Sequence, residues 1–134
     1  MDLLEELEDK IKPTRLERVA LTILKITVGI TFIWIGVMIT IEPGVWKGFF
    51  PEFLLQLEYS QELMFVFGVF DFLLGLFLVI DRFTPVVSLL ASLHLLGILI
   101  FYGIDSITIR DVGLLGATIC IFLFSISYRF KQNN

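Results

Sequence analysis

Four stretches of this chain, running approximately from Val19 to Ile41, Leu63 to Ile80, Pro85 to Ile104 and Thr108 to Tyr128, are each long and apolar enough to cross a bilayer. A span needs roughly 20 mainly apolar residues to cover about 30 Å of hydrocarbon, and no water is present there to satisfy backbone N–H and C=O groups. A helix satisfies them within one segment, so the expected fold is all-α. The 57% hydrophobic content and mean hydropathy of +0.90 agree, being far from the values of a soluble domain. The connections between the second, third and fourth spans are short, which forces antiparallel neighbours and predicts a four-transmembrane-helix up-down bundle. Residues 1–18 then form an N-terminal arm, 19–128 the membrane domain and 129–134 a short tail. Because the spans occupy most of the 134 residues, no soluble domain with chemistry of its own is expected.

The first span reads as a retained anchor rather than a cleaved signal peptide, since about eighteen mostly charged residues precede it. Lys10, Lys12, Arg15, Arg18, Arg82, Arg129 and Lys131 fall on the side shared by the N-terminus, second loop and C-terminus, with Lys47 and Arg110 opposite. Basic residues near span ends stay cytoplasmic, so both termini are expected to face the cytoplasm. The net charge of −4 argues against nucleic acid as a partner and leaves the lipid bilayer as the first one. Cys120 is the single cysteine, which excludes an internal disulfide, a CxxC pair and a multi-cysteine metal site.

In the arm, Leu3, Leu4, Leu7 and Ile11 recur at helical spacing among charges, with Pro13 as the stop. This pattern suits an amphipathic helix on the inner membrane surface or against a partner, and equally a solvated helical arm. The long first loop carries "VWKGFFPEFLLQL". Its Trp46, Phe49, Phe50 and Phe53 suit a seat in the outer membrane interface; the alternative is a lid over the bundle mouth. At the later turns, Thr84 is expected as an N-cap before Pro85 at the first helical position, and Thr108 with Asp111 has capping-box spacing.

Asp71 sits near the middle of "FGVFDFLLGLF", where a bare charge costs about 3 kcal/mol on insertion scales. It must face the bundle interior. Gly68 and Gly75 share its helical face, so a neighbouring helix can approach closely there. His94 lies at nearly the same depth on the next span. Lys25, two turns into the first span, can reach toward Asp71 or snorkel back to the interface. Asp71, Lys25 and His94 form the candidate buried polar cluster, either a proton or ligand site or an interhelical ion pair that only fixes register. One imidazole without other ligands at proper spacing makes no metal site. Arg110 and Asp111 form a second, outer pair, read as a capped helix end whose Arg can meet an acid, an anionic ligand or a headgroup, with Gly113 and Gly116 marking close helix packing.

"ILKITVGITFIWIG" at Ile23–Gly36, "FGVFDFLLGLFLVI" at Phe67–Ile80, "LLASLHLLGIL" at Leu89–Leu99 and "IRDVGLLGATICIFL" at Ile109–Leu123 together resemble the DoxX-like family of small four-helix integral membrane proteins. That family's basic residue ahead of a glycine matches Lys25 with Gly29, its acid ahead of a glycine matches Asp71 with Gly75, and its Arg-Asp pair matches Arg110 and Asp111. Lys25 and Asp71 depart from the more usual Arg and Glu, which keeps charge sign but changes reach and hydrogen-bond geometry. The resemblance implies a protein of the prokaryotic cytoplasmic membrane, acting as a subunit or partner of a quinone-linked or oxidative-stress redox system, with an oxidoreductase partner. No haem, flavin or iron–sulfur motif is visible, so no covalently bound cofactor is expected, any redox centre belongs to that partner, and quinone is a candidate ligand of the bundle. Two other functions fit the same residues: a small proton-coupled transporter working through Asp71, and a structural membrane anchor without chemistry.

Overall fold

A computed structural model describes residues 3, 5, 6 and 15–132, with side chains as far as 129. The amphipathic pattern expected in the arm, including Leu4, Leu7, Ile11 and Pro13, falls almost wholly outside the described residues. Among the described residues from Arg15 on, six α-helices follow in order: α1 (Arg15–Ile41), α2 (Pro43–Trp46), α3 (Glu52–Leu55), α4 (Ser60–Val79), α5 (Thr84–Tyr102) and α6 (Ile109–Gln132). Helices α1, α4, α5 and α6 are each long and apolar enough to span a membrane. They pack as an all-α bundle, and the chain is a multi-pass membrane protein. Outward-facing Ile23, Ile30, Trp34, Phe65, Leu93 and Ile100 are all more than half exposed, as lipid-facing side chains are.

Glycine decides which helices pair. Gly29 and Gly36 of α1 face Gly75 and Gly68 of α4, and a Cβ placed on Gly36 would lie 2.5 Å from the carbonyl oxygen of Gly68. Only glycine permits that backbone approach. Helices α1 and α4, separated by the long loop, therefore form the most extensive contact in the bundle. Helices α5 and α6 form the second pair over small hydroxyl residues, where Ser92 Oγ donates to Thr118 Oγ1 at 2.8 Å in a fully enclosed position. Between the pairs lie Leu21, Val28, Phe32, Leu74, Leu78, Val87, Ala91, Leu95 and Ile121. Contact between α4 and α5 is slight by comparison, even though only a short turn joins them. That leaves room between the two pairs.

Gly113 and Gly116 do not mark close packing as expected: a Cβ on either would meet nothing within 4 Å. The inward face of α6 is instead set by Asp111, Thr118, Ile121 and Ser125, and the two glycines lie off it.

The turn between α4 and α5 also differs from expectation. Asp81 N donates to Leu78 O and Arg82 N to Phe77 O, the paired bonds of a Schellman ending, with Asp81 in the left-handed slot (φ 56°) that glycine usually fills. Phe83 (φ 53°) rather than Thr84 precedes the first residue of α5. The Thr84 hydroxyl is turned away from the helix amides and donates to Asp81 Oδ1.

Candidate functional site

The room between the helix pairs is a cavity of about 330 Å³ at the end of the bundle that carries the aromatic loop. Apolar side chains make most of its wall, including Phe32, Ile35 and Ile39 of α1 and Ile98 and Phe101 of α5. Its polar groups are few and come from three helices: Asp71 of α4, His94 of α5, and Arg110 with Asp111 of α6.

Asp71 is 3% exposed. Its Oδ1 lies 2.9 Å from His94 Nε2, yet no donor is aligned on that oxygen and it accepts no hydrogen bond. The contact is thus a close approach of a ring nitrogen to a carboxylate oxygen without an aligned hydrogen bond. The phenylalanines explain why. The His94 ring stacks on Phe67 with centroids 6.1 Å apart and meets the edge of Phe70 at 5.4 Å, so two aromatic rings hold its plane.

Lys25 does not join this pair. The Gly29–Gly75 and Gly36–Gly68 pairings set Lys25 opposite Val79, eight residues or about 12 Å along the helix from Asp71. Its Nζ lies 2.7 Å from Asp81 Oδ1 at the far end of α4. Burial works to raise the Asp81 carboxyl, but hydrogen bonds from Lys25 and Thr84 outweigh it and hold the group below the ordinary 3.8. The predicted three-residue cluster therefore divides into a cavity pair, Asp71 with His94, and an ion pair near the opposite end of the bundle.

Arg110 and Asp111 stand at the start of α6, but as cavity groups rather than as a capped helix end. Asp111 is 6% exposed and takes a long contact, 3.3 Å, from Arg110 Nε. The capping box is not formed: the Thr108 hydroxyl donates to Gly103 O and accepts from Asp105 N. Asp105 caps this turn instead, its Oδ1 accepting from Thr108 N and Ile107 N at 2.8 and 2.7 Å. Those amides, Thr108 first, hold the Asp105 carboxyl at about 2. With that role filled, the Asp111 carboxylate is free to face inward.

The aromatic loop lies across the mouth of the cavity. Phe49 meets Tyr102 at 5.1 Å, Phe50 meets Phe67 at 5.4 Å and Phe53 meets Phe101 at 6.1 Å. Trp46, Phe49, Phe50 and Phe53 all contribute to the cavity wall, which is the lid arrangement. Pro51 shapes the crossing: Phe50 before it is extended (φ −93°, ψ 140°), as a residue preceding proline should be.

The sequence reading missed that the outer Arg-Asp pair and the intramembrane Asp-His pair share one cavity. One signal for it was present: Asp111, Thr118 and Ser125 recur every seven residues in an otherwise apolar span, and all three are buried. Among the described residues no three of His, Cys, Asp or Glu are grouped to hold a metal ion. Comparison with protein-family models, curated proteins and solved structures gives no match. A partly buried imidazole beside a buried carboxylate, in an apolar chamber under an aromatic lid, is an arrangement that can hold or pass a proton.

Proposed function

We propose that this protein is a membrane subunit of a quinone-linked redox system in a prokaryotic cytoplasmic membrane, with its cavity binding the quinone-type ring and a partner oxidoreductase carrying the redox centre. The observation that carries this reading is the convergence of Asp71, His94, Arg110 and Asp111 on one aromatic-walled cavity. A volume of about 330 Å³ lies at the small end of ligand pockets, roughly 300–1,000 Å³, which suits a substituted single ring. Its few polar groups among apolar walls match a ring that is apolar except at two oxygens. The DoxX-like pattern at Lys25, Asp71 and the Arg110–Asp111 pair points in the same direction. His94 and Asp71 would hold the proton that accompanies a change at a ring oxygen, while the phenylalanines and the loop exclude water.

The test uses the protein purified in detergent and in lipid nanodiscs, titrated with duroquinone while tryptophan fluorescence is followed. Trp46 lines the cavity, whereas Trp34 is 66% exposed on the lipid-facing surface. Saturable quenching should persist in Trp34→Phe and vanish in Trp46→Phe, and affinity purification from native membranes should bring down an oxidoreductase. A protein that neither retains nor binds the ring, and that carries no such partner, would rule out this function.

A further inference from the structure

Arg110 is the cavity residue with the most hydrogen-bonding capacity left over. A guanidinium is a planar fork of N–H donors, and here only Nε is engaged, in a single contact of 3.3 Å with Asp111 Oδ1. That contact is longer than the about 2.7–2.9 Å of a firm charged hydrogen bond, and it is not the two-point pairing that a carboxylate can give an arginine. The Nη groups meet no acceptor among the described residues. They are also within reach: the Arg110 side chain is 48% exposed, against 8% for Asp111 and 4% for Asp71. Asp71 Oδ1, by contrast, is fully enclosed and out of reach of anything in the chamber. Water can serve the Nη groups while the cavity is empty. A ligand that displaces this water has to bring an acceptor of its own.

The charge of the wall decides which kind of acceptor. Asp71 and Asp111 set two carboxylates against one guanidinium and one imidazole. Even with His94 protonated, an anionic ligand would leave the wall with excess negative charge among apolar side chains, where charge is poorly screened. A carbonyl oxygen takes the same donors and adds no charge. We infer that Arg110 holds a carbonyl oxygen of the ring ligand through its Nη groups, while Nε stays on Asp111. This rests on the quinone-type reading above and adds to it which side chain fixes the ring and through which atoms. One carbonyl then accepts from a cation and the opposite one at most from an imidazole, so the two ring oxygens are no longer equivalent once bound.

The test uses duroquinone, durene, which is the same methylated ring without oxygens, and decyl phosphate as an anionic probe. Dissociation constants come from calorimetric titration in nanodiscs. The state of each carbonyl comes from infrared difference spectra of duroquinone with and without 13C at its carbonyl carbons. Wild type should bind duroquinone roughly tenfold tighter than durene, the low end for a hydrogen bond from a charged donor because the guanidinium is half exposed. Bound duroquinone should show two carbonyl bands. In Arg110→Met the lower band should return toward its position in apolar solvent and the preference over durene should be lost, with durene binding unchanged. Carbonyl bands that are the same in wild type and Arg110→Met overturn the inference and leave the quinone-type reading intact. Equal weakening of duroquinone and durene in Arg110→Met also overturns it, since the arginine would then act through packing. Decyl phosphate binding tighter than duroquinone, and losing that advantage in Arg110→Met, overturns the carbonyl assignment in favour of an anionic head. Failure of duroquinone to bind wild type overturns both readings. Should Arg110→Met fail to fold, Arg110→Lys takes its place: it keeps the charge but not the planar fork, so the lower band must move, and an unmoved band overturns the inference.

Discussion

Replacing Gly36 by alanine adds a single methyl group at the tightest point of the α1–α4 seam. The added carbon would stand 2.5 Å from both Gly68 O and Phe72 N, whereas ordinary contact begins near 3.4 Å. Both obstacles are backbone atoms of a regular helix, so neither can rotate away as the tip of a side chain would. The helices must separate by about 0.9 Å at that level. A gap of roughly 0.5–1 Å forfeits a quarter to a half of the dispersion energy of each atom pair it opens, and overpacking of this kind costs about 1–3 kcal/mol. Alanine is otherwise the better helix former, so the sign of the effect comes from the seam alone. Reversible unfolding in mixed micelles, with Gly116→Ala as the matched control, measures the difference. Gly116 has nothing within 4 Å, and its alanine variant should match wild type or exceed it by up to about 1 kcal/mol. If the two variants unfold together, the close approach of α1 and α4 is not what holds the pair.

Two further expectations concern charges outside the cavity. Lys25 and Asp81 should show coupling in a double-mutant cycle, whereas Lys25→Met and Asp71→Asn should be additive to within about 0.5 kcal/mol. Asp81→Asn should harm thermal stability more than Lys25→Met, because the Asp81 side chain is 60% exposed and can turn to water while that of Lys25 is 10% exposed; equal losses would count against this. The Asp105 carboxyl is held at about 2 against an ordinary 3.8. Since its pKa is lower in the folded protein, its stabilising effect is complete above about 4 and disappears as pH falls through about 2. The acid limb of a thermal-stability profile should therefore be shallower in Asp105→Asn than in wild type, and superimposable limbs would refute the role given to the cap.

The spans were legible because membrane crossing demands long apolar runs whatever their partners. The inward direction of Asp71 was legible too, since Gly68 and Gly75 share its helical face and a charge has nowhere else to go. The partner of Lys25 was not. Depth arithmetic placed it within reach of Asp71, but the pairing is set by which glycines face each other across α1 and α4, and the true partner sits in a turn. Asp81 takes a left-handed position normally read as glycine's, so nothing in the local pattern marks it as the end of a helix. The Arg110–Asp111 pair was misread for a related reason. Spacing suggested a capping box, while Asp105, three residues before Thr108, had already taken up the amides. Gly113 and Gly116 show the limit of composition: small residues permit close approach but do not cause it.

Lys25 and Asp81 are separated by 56 positions in the chain, and that separation bears on biosynthesis. Helix α1 leaves the ribosome with its ammonium group already committed to the membrane, long before the carboxylate that will neutralise it has been made. Until then Lys25 lacks the carboxylate that neutralises it, and its four-carbon stem is what lets the ammonium reach a polar boundary. Synthesis of the α4–α5 turn supplies the missing charge, and α1 can then settle against α4 with its glycines in register. The ion pair thus ties the packing of α1 to the making of the α4–α5 turn, two events far apart in the chain.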